Sequence, residues 1–302
     1  MDGLRQVRIG IGGWEHEVLD RCLYPRGGME SLEKLSFYAR VFSTVEVRPT
    51  FWDESLGASD ARDWASAVGP EFRFLVKLHR HFTHGRQMKT ELARSTRALL
   101  AALARRDRLG ALLMQFPYSF TNTGLARYHL ARLAEAFRGF PLQVEFRHDS
   151  WNQSTTSTLL ADHGMTPAMV DMPHIRQLAP FARVRPDRTA YVRLHGRNDK
   201  GWLLGAMDAR YDYLYNAREL AELKRRLDHL TAREVSTVLI FNNTTGGKAL
   251  ANALQLEARL SPSRRTAIPS KSLEAFPFLR EVAEPESETI GLFDDAAYRQ
   301  AI

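Results

Sequence analysis

The sequence predicts an α/β protein built as a single (β/α)8 TIM barrel with a carboxyl-terminal extension, and two observations lead to this prediction. Short runs rich in β-branched and aromatic residues alternate with helical patterns about eight times between Val7 and Arg259, as in a parallel barrel. Within most strand runs only one side is apolar, whereas strands of an open parallel sheet covered on both faces are apolar throughout. A doubly wound open sheet has the same spacing and is the alternative. The predicted strands are 7–12, 44–50, 72–79, 111–116, 142–147, 166–172, 189–196 and 235–243, and the predicted helices are 31–42, 59–68, 89–106, 125–137, 154–163, 217–230 and 248–259.

The stretch 142–151, LQVEFRHDSW, shows the alternation clearly. Leu142 and Val144 fall on one side of a strand, and Glu145 and Arg147 on the other. Similar polar residues stand near the carboxyl ends of the other runs, which is where barrel enzymes carry their chemistry. We therefore expect one pocket at that end of the barrel. The candidates for catalysis are Glu46, Lys77, Glu145, Arg147, Asp171, Arg193 and His195.

The predicted pocket contains charges of both signs, with cations in excess. Fixed cations hold a phosphate or carboxylate group, and carboxylates such as Glu46 and Glu145 move protons. The set therefore suits a general acid/base enzyme with an anionic substrate. We expect Arg48 and Gln115, near the ends of their own runs, to contact that substrate. The alternative is that Glu46–Arg48 and Glu145–Arg147 are structural ion pairs at the barrel mouth.

Histidines and carboxylates at the same end also form a candidate metal site. Mixed sets of this kind bind zinc or manganese. Nearby arginines repel a cation, so the sequence does not favour a divalent metal, and it identifies no other cofactor. The candidate ligands are His79, Glu145, Asp171 and His195.

The segment 242–248, NNTTGGK, ends the eighth predicted strand and opens a helix. Its small residues let backbone amides at a helix amino terminus approach an anion, and phosphate sites in barrels commonly follow strands seven and eight. Arg197 and Lys200, after strand seven, complete the predicted cradle. A plain helix cap through Thr244 or Thr245 is the alternative. The residues predicted to bind substrate or phosphate are Arg48, Gln115, Arg197, Asn242, Asn243, Thr245, Gly246 and Gly247.

Charge is distributed unevenly along the 302 residues. The net charge is +7, but six acidic residues against Arg299 give residues 281–302 a charge of −5, so residues 1–280 carry +12. Such a surplus favours anionic partners, including nucleic acid. The longest apolar run, 98–104, is too short to span a bilayer. Together with the single cysteine, Cys22, this predicts a cytoplasmic protein without a membrane partner.

Residues 261–302 are predicted to lie outside the barrel of residues 1–260. They begin as a basic linker rich in proline and serine and end as an acidic tail with few apolar residues. An apolar island in the tail resembles in its spacing the short peptide that binds the bacterial sliding clamp, which makes a clamp a candidate partner. The alternative is that the island folds back onto the barrel. The island comprises Thr289, Ile290, Gly291, Leu292 and Phe293.

A set of short motifs is spread along the chain: GIGGWE, TVEVRPTFW, FLVK, LGALLMQFPYSF, VEFRHDSW, YVRLHGR and FNNTTGGKALANAL. In this order, from about residue 7 to residue 258, the chain resembles the YecE-like family, bacterial proteins grouped as a domain of unknown function and built as TIM barrels. Gly13 and His16 depart from the family's usual opening. The resemblance implies the barrel but brings no established reaction. It also implies a distant similarity to the barrel superfamily of endonuclease IV-type repair enzymes and xylose isomerase-like enzymes, a kinship by analogy only.

These observations predict a protein that acts on or binds a phosphate-bearing substrate, with nucleic acid as the first candidate. The predicted reaction is a phosphoesterase or repair-type hydrolysis, with Glu145, Asp171 or Glu46 as the acid or base. A non-catalytic DNA- or clamp-associated binding module is one alternative. A sugar-phosphate isomerase or epimerase is the other.

Overall fold

The computed structural model describes residues 7–175, 178, 189–205 and 207–286, along which strands and helices alternate. Each predicted strand and helix has a counterpart, and the sixth predicted strand is divided in two. None of the helices in these ranges is both long and apolar enough to cross a membrane. The strands are β1 (Val7–Ile11), β2 (Thr44–Val47), β3 (Arg73–Lys77), β4 (Leu109–Gln115), β5 (Leu142–Glu145), β6 (Met165–Pro167), β7 (Met169–Asp171), β8 (Thr189–Leu194), β9 (Ser236–Phe241), β10 (Thr266–Ile268) and β11 (Ala283–Pro285). The helices are α1 (Glu17–Cys22), α2 (Ser31–Val41), α3 (Ala58–Ser66), α4 (Arg80–Thr83), α5 (Thr90–Arg105), α6 (Gly124–Ala136), α7 (Ser154–Asp162), α8 (Asp199–Leu204), α9 (Met207–Arg210), α10 (Ala217–Thr231), α11 (Lys248–Leu260) and α12 (Ser270–Ala275).

The first nine strands form two parallel sheets that meet at both ends. One sheet has the order β2-β3-β4-β5-β6 and the other the order β7-β8-β9-β1. β6 and β7 are separated only by Ala168, whose amide donates to the Val144 carbonyl oxygen of β5. At the other end Gly12, directly after β1, forms a parallel bridge with Glu46 of β2. An α/β fold with parallel sheets is therefore confirmed.

Gly10 allows β1 and β2 to approach each other closely. A Cβ atom at this position would lie 2.0 Å from the carbonyl oxygen of Thr44, far inside contact distance. Glycine inside a strand usually weakens it, and it persists where another backbone comes this near. A glycine at position 10 is therefore required for the close packing of β1 against β2.

The strand side chains divide between two apolar clusters. Val45 and Val47 of β2 pack in the larger cluster, which also contains the apolar faces of the helices. Leu75 of β3 belongs to a second cluster on the opposite face of the sheets, called here the inner cluster, and Glu46 is its register partner on β2. The alternation predicted for β2 is thus confirmed. The inner cluster comprises Leu75, Ala111, Leu113, Ala168, Val170, Met172, Tyr191, Val238 and Ile240.

Residues 261–286 fold onto the rest of the chain, which corrects the prediction of a linker there. β10 and β11 pair in parallel, and Ile268, Leu273 and Leu279 lie buried in the larger cluster. The apolar runs here are too short to stand out in the sequence, and only long-range packing reveals them. The acidic tail beyond Glu286, with the clamp-like island, lies outside the described residues.

Candidate functional site

A network of charged side chains lies buried toward the carboxyl ends of β2, β5 and β8. Arg193 is at its centre, with Nε and NH2 donating to the two carboxylate oxygens of Glu46 at 2.8 and 2.7 Å, and NH1 donating to Glu145. The hydroxyl of Tyr191 donates to Glu46 from 2.6 Å. None of these four residues is more than 1 % exposed. Ion pairing and hydrogen bonds together compensate for burying these charges.

The pKa values of the two carboxyl groups follow from this network. Burial alone would raise both, but Arg193 lowers the pKa of Glu46, and Arg147 and Arg193 hold the pKa of Glu145 well below its ordinary value. Nε of Arg147 lies 2.6 Å from Glu145 Oε1. A carboxylate that stays ionised and fully paired is a weak proton donor and a weak base at neutral pH. The two glutamates are therefore better suited to holding the arginines than to moving protons.

His195 joins the network from the end of β8. Its Nε2 lies 3.2 Å from Glu145 Oε1 and 3.1 Å from Arg147 NH2, and its Nδ1 lies 3.0 Å from Asn242 Nδ2. Burial, and after it Arg147, lowers the pKa of His195 to about 3. The ring is therefore neutral at physiological pH, and it fills the space between charged groups without adding charge.

Two cations beside this network, Lys77 and Arg48, form no ion pair with any other described residue. Nζ of Lys77 lies 3.8 Å from the centroid of the Phe51 ring. NH1 of Arg48 lies 3.2 Å from Nε2 of His16. Both cations are half-buried, and with Arg147 and Arg193 they outnumber the two glutamates. The site therefore carries a surplus of positive charge, which attracts an anion.

Lys77 is the cation whose charge changes most readily. Burial, and after it Arg193, lowers its pKa from 10.5 to about 7, while Glu46 acts in the opposite direction. The face of Phe51 also stabilises the ammonium form. A lysine that titrates near neutrality accepts and releases protons, or attacks an electrophile, far more readily than an ordinary lysine.

Asp171 lies apart from this network, which corrects the prediction. Val170 and Met172 belong to the inner cluster, so the Asp171 side chain between them points toward the helices. There it accepts hydrogen bonds from Nε and NH2 of Arg197 at 2.9 and 2.6 Å and from the hydroxyl of Tyr215 at 2.9 Å. Arg197, predicted to hold a phosphate, is thus occupied by this ion pair.

Three further predicted binding residues lie at the ends of their strands but face different ways. Gln115 is buried, and its amide donates to the Phe116 carbonyl oxygen at 2.8 Å. Asn242 contacts the network, and its Oδ1 is buried without a hydrogen-bond partner among the described residues. Asn243 points the other way and donates to Asn252 of α11 at 3.0 Å. Alternation along the strand separates the two asparagines.

The glycine-rich turn before α11 has the backbone that its sequence requires. Gly246 and Gly247 have φ values of 64° and 76°, in the left-handed region that favours glycine. The hydroxyl of Thr245 donates to the Asp208 carbonyl oxygen at 2.8 Å. Neither Thr244 nor Thr245 caps the helix with its side chain. An anion on the amides of this turn stays a prediction.

The four predicted metal ligands do not come together. His79 stacks on His81, with ring centroids 4.8 Å apart, and both place ligand atoms within 4.8 Å of those of Glu54. Nζ of Lys89 lies 3.0 Å from Glu54 Oε1 and 3.0 Å from His81 Nε2, so an ammonium group already takes a cation's place there. The other three predicted ligands, each engaged by an arginine, are Glu145, Asp171 and His195.

Some residues at the site were not among those predicted for catalysis or binding, and Tyr191, Trp202 and Tyr211 are examples. Tyr191 shares a strand face with Arg193, and alternation alone could have identified it. Trp202 of α8 lies over Arg147, its ring centroid 5.1 Å from the guanidinium carbon, and the centroid of the Tyr211 ring lies 5.8 Å from that of the His195 ring. Trp202 and Tyr211 lie in the connection after β8, and the course of that connection cannot be predicted from the periodicity of the sequence.

The chain resembles known proteins along most of its length. Residues 8–275 match the model of a family described as "Protein of unknown function DUF72". The chain belongs to the DUF72 family. This DUF72 chain is 27% identical over 269 residues to the UPF0759 protein YunF of Bacillus subtilis, covering 83% of this chain and 93% of YunF.

Two solved structures of DUF72 family proteins are similar to this DUF72 chain. The one from Thermotoga maritima has 31% identity and a TM-score of 0.75, covering 84% of this chain and 99% of that one. The one from Enterococcus faecalis has 25% identity and a TM-score of 0.73, covering 85% and 96%.

Proposed function

We propose that this DUF72 protein is an enzyme that acts on an anionic substrate, one bearing a phosphate or carboxylate group, at the carboxyl ends of β2, β3 and β8. The observation that carries the proposal is that Arg48 and Lys77 are half-buried cations without an ion pair among the described residues. Arg147 and Arg193 beside them are both bound to carboxylates. Keeping unpaired cations next to other cations is costly unless an anion neutralises them.

In this proposal Arg48 binds the anionic group and Lys77 moves the proton. A pKa of about 7 matches Lys77 to general acid–base catalysis at neutral pH. The same role was predicted for Glu46 and Glu145, but arginines keep both ionised. A proton transfer next to a carbonyl group, as in a sugar-phosphate isomerase or epimerase, fits an amine base beside an anion-binding arginine.

The proposal also takes the two sheets as one closed (β/α)8 barrel. Two observations support closure: the break of a single residue at Ala168 between the sheets, and the bridge from Gly12 to Glu46 at their other ends. In a closed barrel the charged network fills the mouth at the carboxyl ends of the strands. Active sites of barrel enzymes lie at that end.

Thermal unfolding in the presence of anions tests the proposed function. We expect inorganic phosphate, pyruvate and glucose 6-phosphate to raise the midpoint of unfolding more than glucose does, because only a ligand that binds the folded state stabilises it. Arg48→Gln should lose the effect. Arg94→Gln, an exposed arginine paired with Glu91, should keep it. An anion effect that is equal in both variants would rule out binding at Arg48.

Nucleic acid is the second candidate substrate, and the charge of +12 on residues 1–280 favours it. With nucleic acid as the ligand, the protein would carry out a repair-type hydrolysis, as the YecE-like resemblance to endonuclease IV-type barrels suggests by analogy. It could instead be a non-catalytic module that a sliding clamp recruits through residues 289–293. Fluorescence anisotropy with labelled single- and double-stranded oligonucleotides at increasing salt tests it. A binding constant whose logarithm falls linearly with the logarithm of the salt concentration supports nucleic acid, and no binding at low salt rules it out.

A further inference from the structure

We infer that the amine of Lys77 forms a covalent imine with the carbonyl carbon of an anionic aldehyde or ketone. This inference rests on the proposed function and adds to it the way in which Lys77 reacts. The position of the amine, the charges around it and the nearby unpaired arginine support it.

Lys77 is placed to react with a molecule that enters from the carboxyl ends of the strands. It is the last residue of β3 and pairs with Leu113 of β4, and its carbonyl oxygen accepts a hydrogen bond from the Thr50 hydroxyl at 2.7 Å. Its side chain is half-buried, and Nζ forms no hydrogen bond or ion pair with any described residue. An amine held by a carboxylate must first break that pair, whereas the contact of Lys77 is with the face of Phe51.

The charges facing Lys77 favour the neutral, nucleophilic amine. With burial and Arg193 as the largest causes, its pKa is about 7. A much larger share of the amine is then unprotonated at neutral pH than in an ordinary lysine. The charged and titratable groups that face it are Glu46, Arg48, His84, Glu145 and Arg193.

The step needs no further reactant. Neutral Nζ adds to the carbonyl carbon, the π electrons of the C=O bond move to oxygen, and a proton passes from nitrogen to that oxygen to give a carbinolamine. The hydroxyl group then leaves as water with the second amine proton, and a C=N bond replaces C=O. Nothing is oxidised or reduced. The imine withdraws electrons from the neighbouring carbon, which makes loss of a proton from that carbon easier.

Arg48 sets the kind of carbonyl compound. It lies directly after β2, the strand beside β3, and is close enough to Lys77 to lower its pKa. A phosphate or carboxylate on the same small molecule can bind this guanidinium while the carbonyl carbon reaches Nζ. An α-keto acid, a sugar phosphate and a base-free sugar in DNA share this chemistry.

Trapping the imine by reduction tests the inference and distinguishes the three sources. The full-length protein is incubated separately with pyruvate, with glyceraldehyde 3-phosphate and with a single-stranded oligonucleotide that contains an abasic site, each with sodium cyanoborohydride. Peptides are then mapped by mass spectrometry. We expect a stable adduct on the peptide that contains Lys77, and the probe that gives most of it identifies the source. Acetone, a neutral ketone, should give far less.

Variants locate the reaction. Lys77→Arg keeps a positive charge but cannot form the imine, so the adduct should disappear, while Lys89→Arg, at a lysine paired with Glu54, should leave it unchanged. Arg48→Gln should lower the adduct yield by about tenfold, the factor that one close charge-assisted contact contributes. Mapping the wild-type protein tests the site even if Lys77→Arg does not fold.

The outcomes separate the imine from the proposed function. If anions stabilise the protein through Arg48 but no probe is trapped at Lys77, or if the adducts are spread evenly over other lysines, the imine is wrong and the anion-binding function stands. If the probes are trapped at Lys77 and Arg48→Gln has no effect, the imine stands and Arg48 does not select the substrate.

Discussion

The guanidinium of Arg193 binds the carboxylate of Glu46 through two nearly equal hydrogen bonds, at 2.8 and 2.7 Å, although the two residues lie 147 positions apart in the chain. The third nitrogen of the same group donates to Glu145. One side chain therefore connects β8 to both β2 and β5. A planar guanidinium donates two parallel hydrogen bonds to one carboxylate and keeps a further nitrogen for a second, a fixed geometry that an ammonium group does not have.

Arg193→Met is expected to lower the free energy of unfolding by about 3–5 kcal/mol, because it leaves two carboxylates buried without their shared cation. Urea denaturation followed by circular dichroism measures this. Arg94→Met, at an exposed ion pair, should leave the unfolding curve nearly unchanged. A similar small effect at Arg193 would mean that the glutamates are satisfied in some other way.

Acidification should destabilise the protein through His195. Its pKa is about 3 in the folded state and 6.5 without the protein's influence, so between these values the unfolded chain binds more protons. Stability is therefore lost as the pH falls from 6.5 toward 3. The difference in free energy of unfolding between about pH 7.5 and about pH 5 should be smaller in His195→Asn than in the wild type. His229→Asn, at an exposed histidine of α10, is the control. Equal pH dependence in all three proteins would contradict the burial of a neutral ring.

Gly10→Ala should destabilise the junction between β1 and β2. The added methyl group would meet the Thr44 carbonyl oxygen at 2.0 Å, and overpacking of this kind costs about 1–3 kcal/mol. Gly69→Ala, where no atom lies within 4 Å of the new Cβ, is the matched control. Urea denaturation of both variants gives the comparison, and an equal stability for the two would mean that the strands separate without cost.

Asp171→Asn should affect stability and leave anion binding intact. The substitution weakens the hydrogen bonds to Arg197 and Tyr215, and bonds to charged groups contribute about 1.5–3 kcal/mol each. Arg48→Gln should show the reverse pattern, with little loss of stability and no stabilisation by phosphate. Thermal unfolding without phosphate measures the stability of each variant, and the shift of the midpoint with phosphate measures anion binding. If phosphate no longer stabilised Asp171→Asn, Asp171 would have to be counted as part of the anion-binding site.

Leu279→Ala should lower the free energy of unfolding by about 2–5 kcal/mol, as is usual for a buried leucine. Leu279 lies in the carboxyl-terminal extension but is 0 % exposed. Glu274→Ala, at an exposed position of α12, is the control. Separate unfolding of the extension before the sheets, seen as a second transition, would show that it is not part of the same cooperative unit.

The sequence pattern was sufficient for the strand and helix order and for most of the charged network. Glu46, Glu145 and Arg193 meet because a period of two fixes the face of each side chain, and the ends of parallel strands meet at one edge. The face of each side chain and the meeting of the strand ends can both be predicted without knowing the structure of the loops. Which of the charged groups are left unpaired depends on distances between strands, so Lys77 and Arg48 could not be distinguished from the others beforehand.

The predictions that failed concern places where periodicity carries no information. Asp171 lies in a strand whose residues are apolar on both sides. Val170 and Met172 pack in the inner cluster, and this packing places the Asp171 side chain on the opposite face of the sheet. Arg197 lies beyond the end of β8, and the strand pattern does not give its pairing with Asp171. The extension depends on contacts as distant in sequence as the Ser272 hydroxyl and the Cys22 carbonyl oxygen, 250 positions apart.

The pairing of β1 with β9, from Val7 with Thr237 to Ile11 with Phe241, has a consequence for the growing chain on the ribosome. Among the described strands of the two sheets β1 is made first, and the partner that covers its edge is made last. Until then β1 presents an unpaired edge of peptide groups, the kind of edge to which other chains add. Contacts this distant also form slowly. We therefore expect incomplete chains that end before Ser236 to need chaperones and to be prone to aggregation.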